Sequence, residues 1–250
     1  MLRTALTLAC LLLAALPGSG VSAAPLPDFN ARYELRLGNL RIGTSTTRLE
    51  TAADGSYHYE SRSIPTKLVS WLFRGKLHET STGTLGADGI RPDSYLFNRS
   101  GGRKEKREAL RFDWQSMTVS NAVEGNRWEM DIPAGTLDEL ASQLAMMQAL
   151  RDGETAVSIT VADDAKLREY RFRAVGRETL ELPAGRFDTV RITRLRDNRK
   201  RETYIWCAPA LNYLPVRVWQ REKDGSEYQS DLVEFSETLR VASESGPAGI

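Results

Sequence analysis

The stretch Phe29-Asn30-Ala31-Arg32-Tyr33-Glu34-Leu35-Arg36-Leu37 decides the fold class, because apolar and polar residues alternate along it. A period of two places the apolar side chains on one face of an extended chain, which is typical of a half-buried β-strand. Gly38-Asn39 follows as a turn signal, and the segment from Ile42 to Glu50 can return antiparallel. The sequence therefore opens with a predicted β-hairpin.

The same alternation recurs along the chain between turn signals such as Ala53-Asp54-Gly55, Ala87-Asp88-Gly89 and Asp224-Gly225. About a dozen strands follow one another at a spacing of roughly 8–15 residues. Such a pattern favours a mainly β fold, either an antiparallel curled, barrel-like sheet or a sandwich, over alternating strands and helices.

One segment, residues 136–151, departs from this period. Thr136 with Glu139 predicts a capping box at the start of a helix, and Gly153 predicts a left-handed stop after it. We expect one amphipathic helix packed across the sheet, with a half boundary near residues 151–154 if the domain has two halves. Its apolar stripe consists of Leu137, Leu140, Ala141, Leu144, Met147 and Leu150.

The first 23 residues are predicted to be a secretory signal peptide. Arg3 precedes a short apolar run from Ala5 to Leu16, and small residues end at Ala23, after which we expect cleavage. This arrangement predicts export to the periplasm. Residues 24–240 are then expected to form a single β-rich domain, and residues 241–250 a disordered tail.

Composition excludes several classes of protein. The 250 residues include 34 Lys and Arg against 33 Asp and Glu, and cleavage would remove only Arg3 from this balance. A neutral chain argues against nucleic-acid binding. No later segment is apolar enough for a transmembrane span in the mature chain. Cleavage would also remove Cys10, so Cys207 is expected to be a buried free thiol rather than half of a disulfide.

Several short motifs make the chain resemble the bacterial exported family called domain of unknown function 3108. The most specific are Leu182-Pro183-Ala184-Gly185-Arg186-Phe187-Asp188-Thr189, Trp206, and Leu214-Pro215-Val216-Arg217. Earlier matches are Ser81-Thr82-Gly83 and Asp88-Gly89-Ile90-Arg91-Pro92 with Tyr95. The resemblance extends from about Phe29 to Phe235 and implies an exported, β-rich protein. It implies no catalytic residues.

The sequence contains no recognisable catalytic motif. It lacks the G-x-S-x-G elbow of serine hydrolases and the glycine-rich loops that cradle phosphates. His58 and His78 are the only histidines, which together with Cys207 make no recognisable zinc set. We therefore predict no enzyme activity, no cofactor and no metal.

Two segments are candidate binding sites. The first groups apolar and aromatic residues between cations, which suits contact with a lipid or another amphipathic ligand, or equally a plug in the core. Its residues are Lys67, Leu68, Trp71, Leu72, Phe73 and Arg74. The second is a basic stretch that suits an anion contact, or equally a solvated hairpin that protects an edge strand. Its residues are Arg99, Arg103, Lys104 and Arg107.

Three functions remain open at this stage. The first is a non-enzymatic cell-envelope protein that binds a lipid or other amphipathic ligand inside a curved sheet. The second is a structural or interaction module for envelope assembly, with a protein partner. The third is a carboxylate-dependent hydrolase of an envelope polymer, which requires a cleft with two convergent acids of shifted pKa.

Overall fold

The computed structural model describes residues 26–66, 75–86, 89–101, 105–123, 127–196 and 201–237. Within these residues the helix α1 (Ala141–Arg151) follows the eighth strand, and a short 3-10 helix, Pro209–Leu211, follows the twelfth. The strands are β1 (Phe29–Leu37), β2 (Leu40–Thr51), β3 (Ser56–Pro65), β4 (Lys76–Gly86), β5 (Gly89–Ser100), β6 (Lys106–Asp113), β7 (Thr118–Asn121), β8 (Trp128–Asp131), β9 (Ala156–Asp163), β10 (Lys166–Leu182), β11 (Gly185–Leu195), β12 (Arg201–Ala208), β13 (Leu214–Glu222) and β14 (Glu227–Glu237).

All these strands belong to one antiparallel sheet in the order β8-β7-β6-β5-β4-β3-β2-β1-β14-β13-β12-β11-β10-β9. The first and last strands pair in the middle of the sheet, so the chain makes two meanders joined by β1 and β14. The outermost strands, β8 and β9, are linked through α1. The predicted mainly β, curled antiparallel fold with one helix is therefore confirmed.

The described strands number fourteen rather than about a dozen. The sequence prediction omitted β5 and β8. In β5, Pro92 and Asp93 interrupt the alternation, and the pairing with β4 shifts its register between Thr82 and Gly83. A bulge of this kind adds a residue to one strand and so hides the period of two. The second omitted strand, β8, has only four residues, which is too short for a period of two to stand out.

The sheet curls until the β9–β10 turn reaches β6. The backbone N–H of Asp164 donates to Glu108 Oε1 at 3.0 Å, and Lys106 Nζ lies 3.7 Å from Asp164 Oδ1. The helix α1 packs against both β5 and β9 and so lies across the gap between the two meanders. These contacts enclose an interior that is lined by the inward-facing residues of both meanders.

The helix begins at Ala141, five residues later than predicted, and the predicted capping box is wrong. Leu137 instead pairs with β9: its N–H donates to Thr160 O and its carbonyl accepts from Ala162. This backbone pairing holds the segment extended. Thr136 Oγ1 donates to Pro133 O, and the side chain of Asp138 accepts from the Ala141 N–H. The predicted stop is confirmed, since Gly153 has a φ of 88°.

The inner face of the first meander is fully packed at the end near α1. One row of residues, directly opposed across β1 to β6, is buried throughout, and we call it the buried row. It consists of Phe29, Leu49, Tyr59, Ser81, Tyr95 and Leu110. Helix residues such as Leu144 and Met147 complete this core. Burial of these apolar side chains provides most of the driving force for folding.

The termini lie outside the described residues. The predicted signal peptide (1–23) and tail (241–250) therefore stay predictions, as do the limits of the domain. Across the described ranges, no helix has the length and apolar character needed to cross a membrane.

Candidate functional site

The inner face becomes polar four residues further along the same six strands. A second row of opposed residues, which we call the polar row, consists of Tyr33, Ser45, Ser63, Leu77, Arg99 and Lys106. Its last four members are only half-buried, although they face the interior. Between the two rows lies a middle row of Ala31, Thr47, Ser61, Glu79, Phe97 and Glu108. The interior therefore changes from a packed apolar core to a partly solvated polar wall.

The predicted basic stretch is divided by the sheet. Arg99 opposes Lys106 on the inner face, whereas Arg107 opposes Asn98 on the outer face. Adjacent residues of a strand point to opposite sides, so the sheet does not bring Arg99 and Arg107 together. Arg103 and Lys104 lie outside the described residues. A single anion contact by all four residues stays untested.

The predicted ligand-binding segment lies between the end of β3 and the start of β4. All of its candidate residues lie outside the described residues, and their role stays a prediction. They are Lys67, Leu68, Trp71, Leu72, Phe73 and Arg74.

A hydrogen-bonded network at the start of α1 fixes the helix to β3 and β4. Ser81 Oγ donates to Asp138 Oδ2 at 2.6 Å and lies 2.8 Å from the Tyr57 hydroxyl. Asp138 Oδ1 accepts from the Ala141 N–H at 2.7 Å. Burial raises the pKa of Asp138 to about 7, although these hydrogen bonds oppose the rise. Both carboxyl oxygens are occupied, so Asp138 has a structural role.

Two further carboxyl groups lie beside this network: Glu79 faces the interior from β4, and Glu139 precedes α1. Burial, together with Glu139 and Asp138, raises the pKa of Glu79 to about 7. Desolvation and Asp163 raise the pKa of Glu139, whereas Arg194 and Tyr170 lower it. The Glu139 side chain is nevertheless exposed to solvent. The inward-facing Ser61, Glu79 and Phe97 of the middle row are also only half-buried, so water reaches this part of the interior.

Tyr170 and Arg194 form the opposite wall of this space. Arg194 is paired with Phe172 of β10 and therefore shares its inward face. Its guanidinium carbon lies 3.3 Å from the centroid of the Tyr170 ring. This stacking holds the cation close to Glu139, so the interior carries both signs of charge.

The outer face of the second meander carries an aromatic cluster, formed by Tyr204, Trp206 and Trp219. The Tyr204 ring stacks on Trp219 at 5.9 Å and lies 6.3 Å from Trp206. Arg191 lies over Tyr204 and Arg221 lies over Trp219, at 5.5 and 4.9 Å from the ring centroids. All three aromatic side chains are half-buried.

The remaining reactive groups offer little chemistry. Burial raises the pKa of the Cys207 thiol, so a reactive thiolate is disfavoured. In the described part of the chain, no three His, Cys, Asp or Glu side chains are grouped to hold a metal ion. His78 Nε2 contacts Glu60 Oε1 at 2.6 Å.

The sequence analysis did not select Glu79, Glu139 or Arg194. Glu79 and Arg194 occupy inward positions of alternating strands, where the neighbouring inward residues Ser81 and Ile192 are buried. A charged residue in an inward position was therefore an available signal. Glu139 gave no such signal, because it was assigned to a capping box.

Comparison with known proteins identifies the family and the fold. A family model described as "Protein of unknown function (DUF3108)" matches residues 32–233. A crystal structure of a β-barrel-like protein of domain of unknown function DUF1849 from Brucella abortus has a TM-score of 0.58 at 13% identity, covering 87% of this chain and all of that one. No curated protein matches the chain.

Two other solved structures are more distant. A candidate exported protein with a YmcC-like fold from Bacteroides fragilis has a TM-score of 0.36 at 12% identity, covering 85% of this chain and 98% of that one. A candidate lipoprotein from Parabacteroides distasonis has a TM-score of 0.33 at 12% identity, covering 85% and 97%.

Proposed function

The chain belongs to the DUF3108 family, and we propose that it is a non-enzymatic protein of the bacterial cell envelope that binds an amphipathic ligand, such as a lipid, in the polar half of its interior. The observation that carries this proposal is the incomplete burial of inward-facing side chains in this half. Ser63, Leu77 and Phe97 face the interior of the curled sheet and are only half-buried, which supports a space that water and a ligand can enter.

The residues around this space suit a ligand with both apolar and polar parts. Leu77 and Phe97 are inward-facing and half-buried, so they retain apolar surface that a ligand can cover. Ser63 and Arg99 share the polar row with Leu77 and place a hydroxyl and a cation on the same wall. An envelope location is part of the proposal and rests on the predicted signal peptide.

The proposal is tested by native mass spectrometry of protein that was exported by a bacterial host and purified without detergent. We expect a bound amphipathic molecule, and uptake of a fluorescent fatty acid after its removal. Ser61→Trp should fill the space and abolish uptake, because Ser61 faces inward between Thr47 and Glu79.

Thr46→Trp is the matched control, since Thr46 is exposed on the neighbouring strand. Uptake that is equal in the two tryptophan variants, or absent from the wild-type protein, would contradict the proposal.

The aromatic cluster supports a second function, that of an interaction module in envelope assembly. Tyrosine, tryptophan and arginine dominate the residues that contribute most to protein–protein binding, and Tyr204, Trp219 and Arg221 lie together on the outer face. Crosslinking in the envelope should find one stable protein partner. Trp219→Ala should abolish that crosslink if this function holds.

A carboxylate-dependent hydrolase is the third function, and Glu79 with Glu139 supports it. Both carboxyls have raised pKa values, and the charge of Glu139 contributes to the rise at Glu79. Burial alone accounts for most of each rise, so neither shift requires catalysis. Release of soluble fragments from an envelope polymer by the wild-type protein, but not by Glu79→Gln, would favour a hydrolase over a binding protein.

A further inference from the structure

Three arginines converge on the inner face where β11 ends and β12 begins. Arg194 alternates with the core residue Ile192 along β11. Arg201 shares one face of β12 with Ile205, which opposes Ile192. Arg196 follows Arg194 by two residues, directly after β11. Desolvation lowers the pKa of Arg196, and the charges of Arg194 and Arg201 lower it further.

This positive charge is only partly compensated by acidic residues. Arg201 Nη2 contacts Glu222 Oε1 at 2.7 Å. Among the residues that the structure describes, no carboxylate makes an ion pair with Arg194 or Arg196. Glu139 is the carboxyl whose charge favours the cationic form of Arg196. A partly desolvated group of guanidiniums is unfavourable unless an anion joins it.

Two buried polar atoms at this position lack hydrogen-bond partners within the described residues. One is Arg196 Nε and the other is Thr203 Oγ1. Thr203 is only 6% exposed and lies between Arg201 and Ile205 on the inward face of β12. Buried polar groups are nearly always hydrogen-bonded, so these two atoms can each take a partner from a bound molecule.

We propose that Arg194, Arg196, Arg201 and Thr203 form a binding site for a phosphate group. The site lies on the inner face of the sheet, where β11 ends and β12 begins. The phosphate is the head group of the amphipathic ligand if the proposed function holds, or a free phosphate ion if it does not. Guanidiniums bind phosphate through paired, charge-assisted hydrogen bonds. A tetrahedral phosphate presents several oxygens, and can therefore satisfy Arg196 Nε and Thr203 Oγ1 together.

The test is isothermal titration of the full chain with three probes. These are inorganic phosphate, dihexanoyl phosphatidic acid and dihexanoyl glycerol, which lacks the phosphate. We expect the phosphatidic acid to bind more tightly than the glycerol. Arg196→Gln and Thr203→Val should each weaken its binding roughly tenfold or more, as expected for loss of a hydrogen bond to a charged group.

Arg186→Gln is the matched control, because Arg186 is a largely exposed arginine at the opposite end of β11. Thermal unfolding without ligand is a second measurement. Thr203→Val should unfold at the same temperature or higher, because it removes a buried hydroxyl that has no partner. Unchanged folding with weakened binding would distinguish a ligand site from a structural role.

The outcomes separate this site from the proposed function. Phosphate binding that depends on Arg196 and Thr203 supports the site, and failure of the lipid probes would then contradict only the amphipathic ligand. If both lipid probes bind equally and Arg196→Gln has no effect, the site is overturned and the proposed function stands. Absence of binding by both phosphate-bearing probes also overturns the site.

Discussion

The buried row and the polar row lie on the same six strands and the same inner face, yet they differ in composition and in solvent access. Tyr59 and Ser81 of the buried row oppose each other in a closed core. Four residues along, Ser63 and Leu77 oppose each other and remain half-buried. The difference indicates that packing in one half of the interior stabilises the fold, whereas the other half stays partly open to solvent, where the proposed ligand would bind.

The largest loss of stability is expected from a substitution in the packed half of the interior. Leu144 of α1 is completely buried, so Leu144→Ala should reduce the free energy of unfolding by about 2–5 kcal/mol through lost burial and a residual cavity. Urea denaturation measures this loss. Leu40→Ala is the control, because Leu40 is 44% exposed; equal losses in the two variants would show that α1 does not seal a packed core.

A smaller effect is expected at the start of the helix that covers the packed half. Asp138→Ala removes the acceptor of the Ser81 hydroxyl and of the Ala141 N–H, which should cost about 1–3 kcal/mol of stability. Asp152→Ala, at the exposed end of the same helix, should have little effect. Chemical denaturation of both variants tests this. A loss no greater than that of Asp152→Ala would contradict the role of Asp138 in fixing the helix.

The smallest effect is a change of stability with pH. Because the pKa of Glu79 rises from 4.5 to about 7 on folding, the folded protein binds more protons than the unfolded chain between these values. The contribution of Glu79 to stability is therefore complete below pH 4.5 and is lost as the pH rises through 7. Glu79→Gln should be more stable than the wild type at pH 8 and similar to it at pH 4.

Urea midpoints at several pH values measure this difference, with Glu50→Gln as an exposed control. The same difference between wild type and Glu79→Gln at pH 4 and pH 8 would mean that Glu79 does not titrate inside the fold.

The sequence predicted the fold class better than it predicted the site. Period-two alternation in Phe29–Leu37 coincides with β1, and the turn at Gly38 is present. The helix start was wrong because Leu137 pairs with a strand that is adjacent only in the folded protein. Short-range capping signals cannot detect such a contact.

The candidate site was largely unpredictable for a related reason. Glu79, Glu139 and Arg194 belong to three separate elements, and only the curling of the sheet brings them to one interior. Arg99 and Arg107 illustrate the opposite error, since they are near in sequence but lie on opposite faces. Alternation predicts which face each residue takes, but neither strand order nor curvature can be read from it.

The central pairing of β1 with β14 has a consequence for the order of folding. Each meander consists of contacts between consecutive strands, which close short loops and form quickly. The pairs Phe29↔Glu237 and Leu37↔Tyr228 instead join the two ends of the described chain, at the entropic cost of closing a loop of about 200 residues. The two meanders can therefore form early and separately. The single curled sheet is complete only after the last strand has paired with the first.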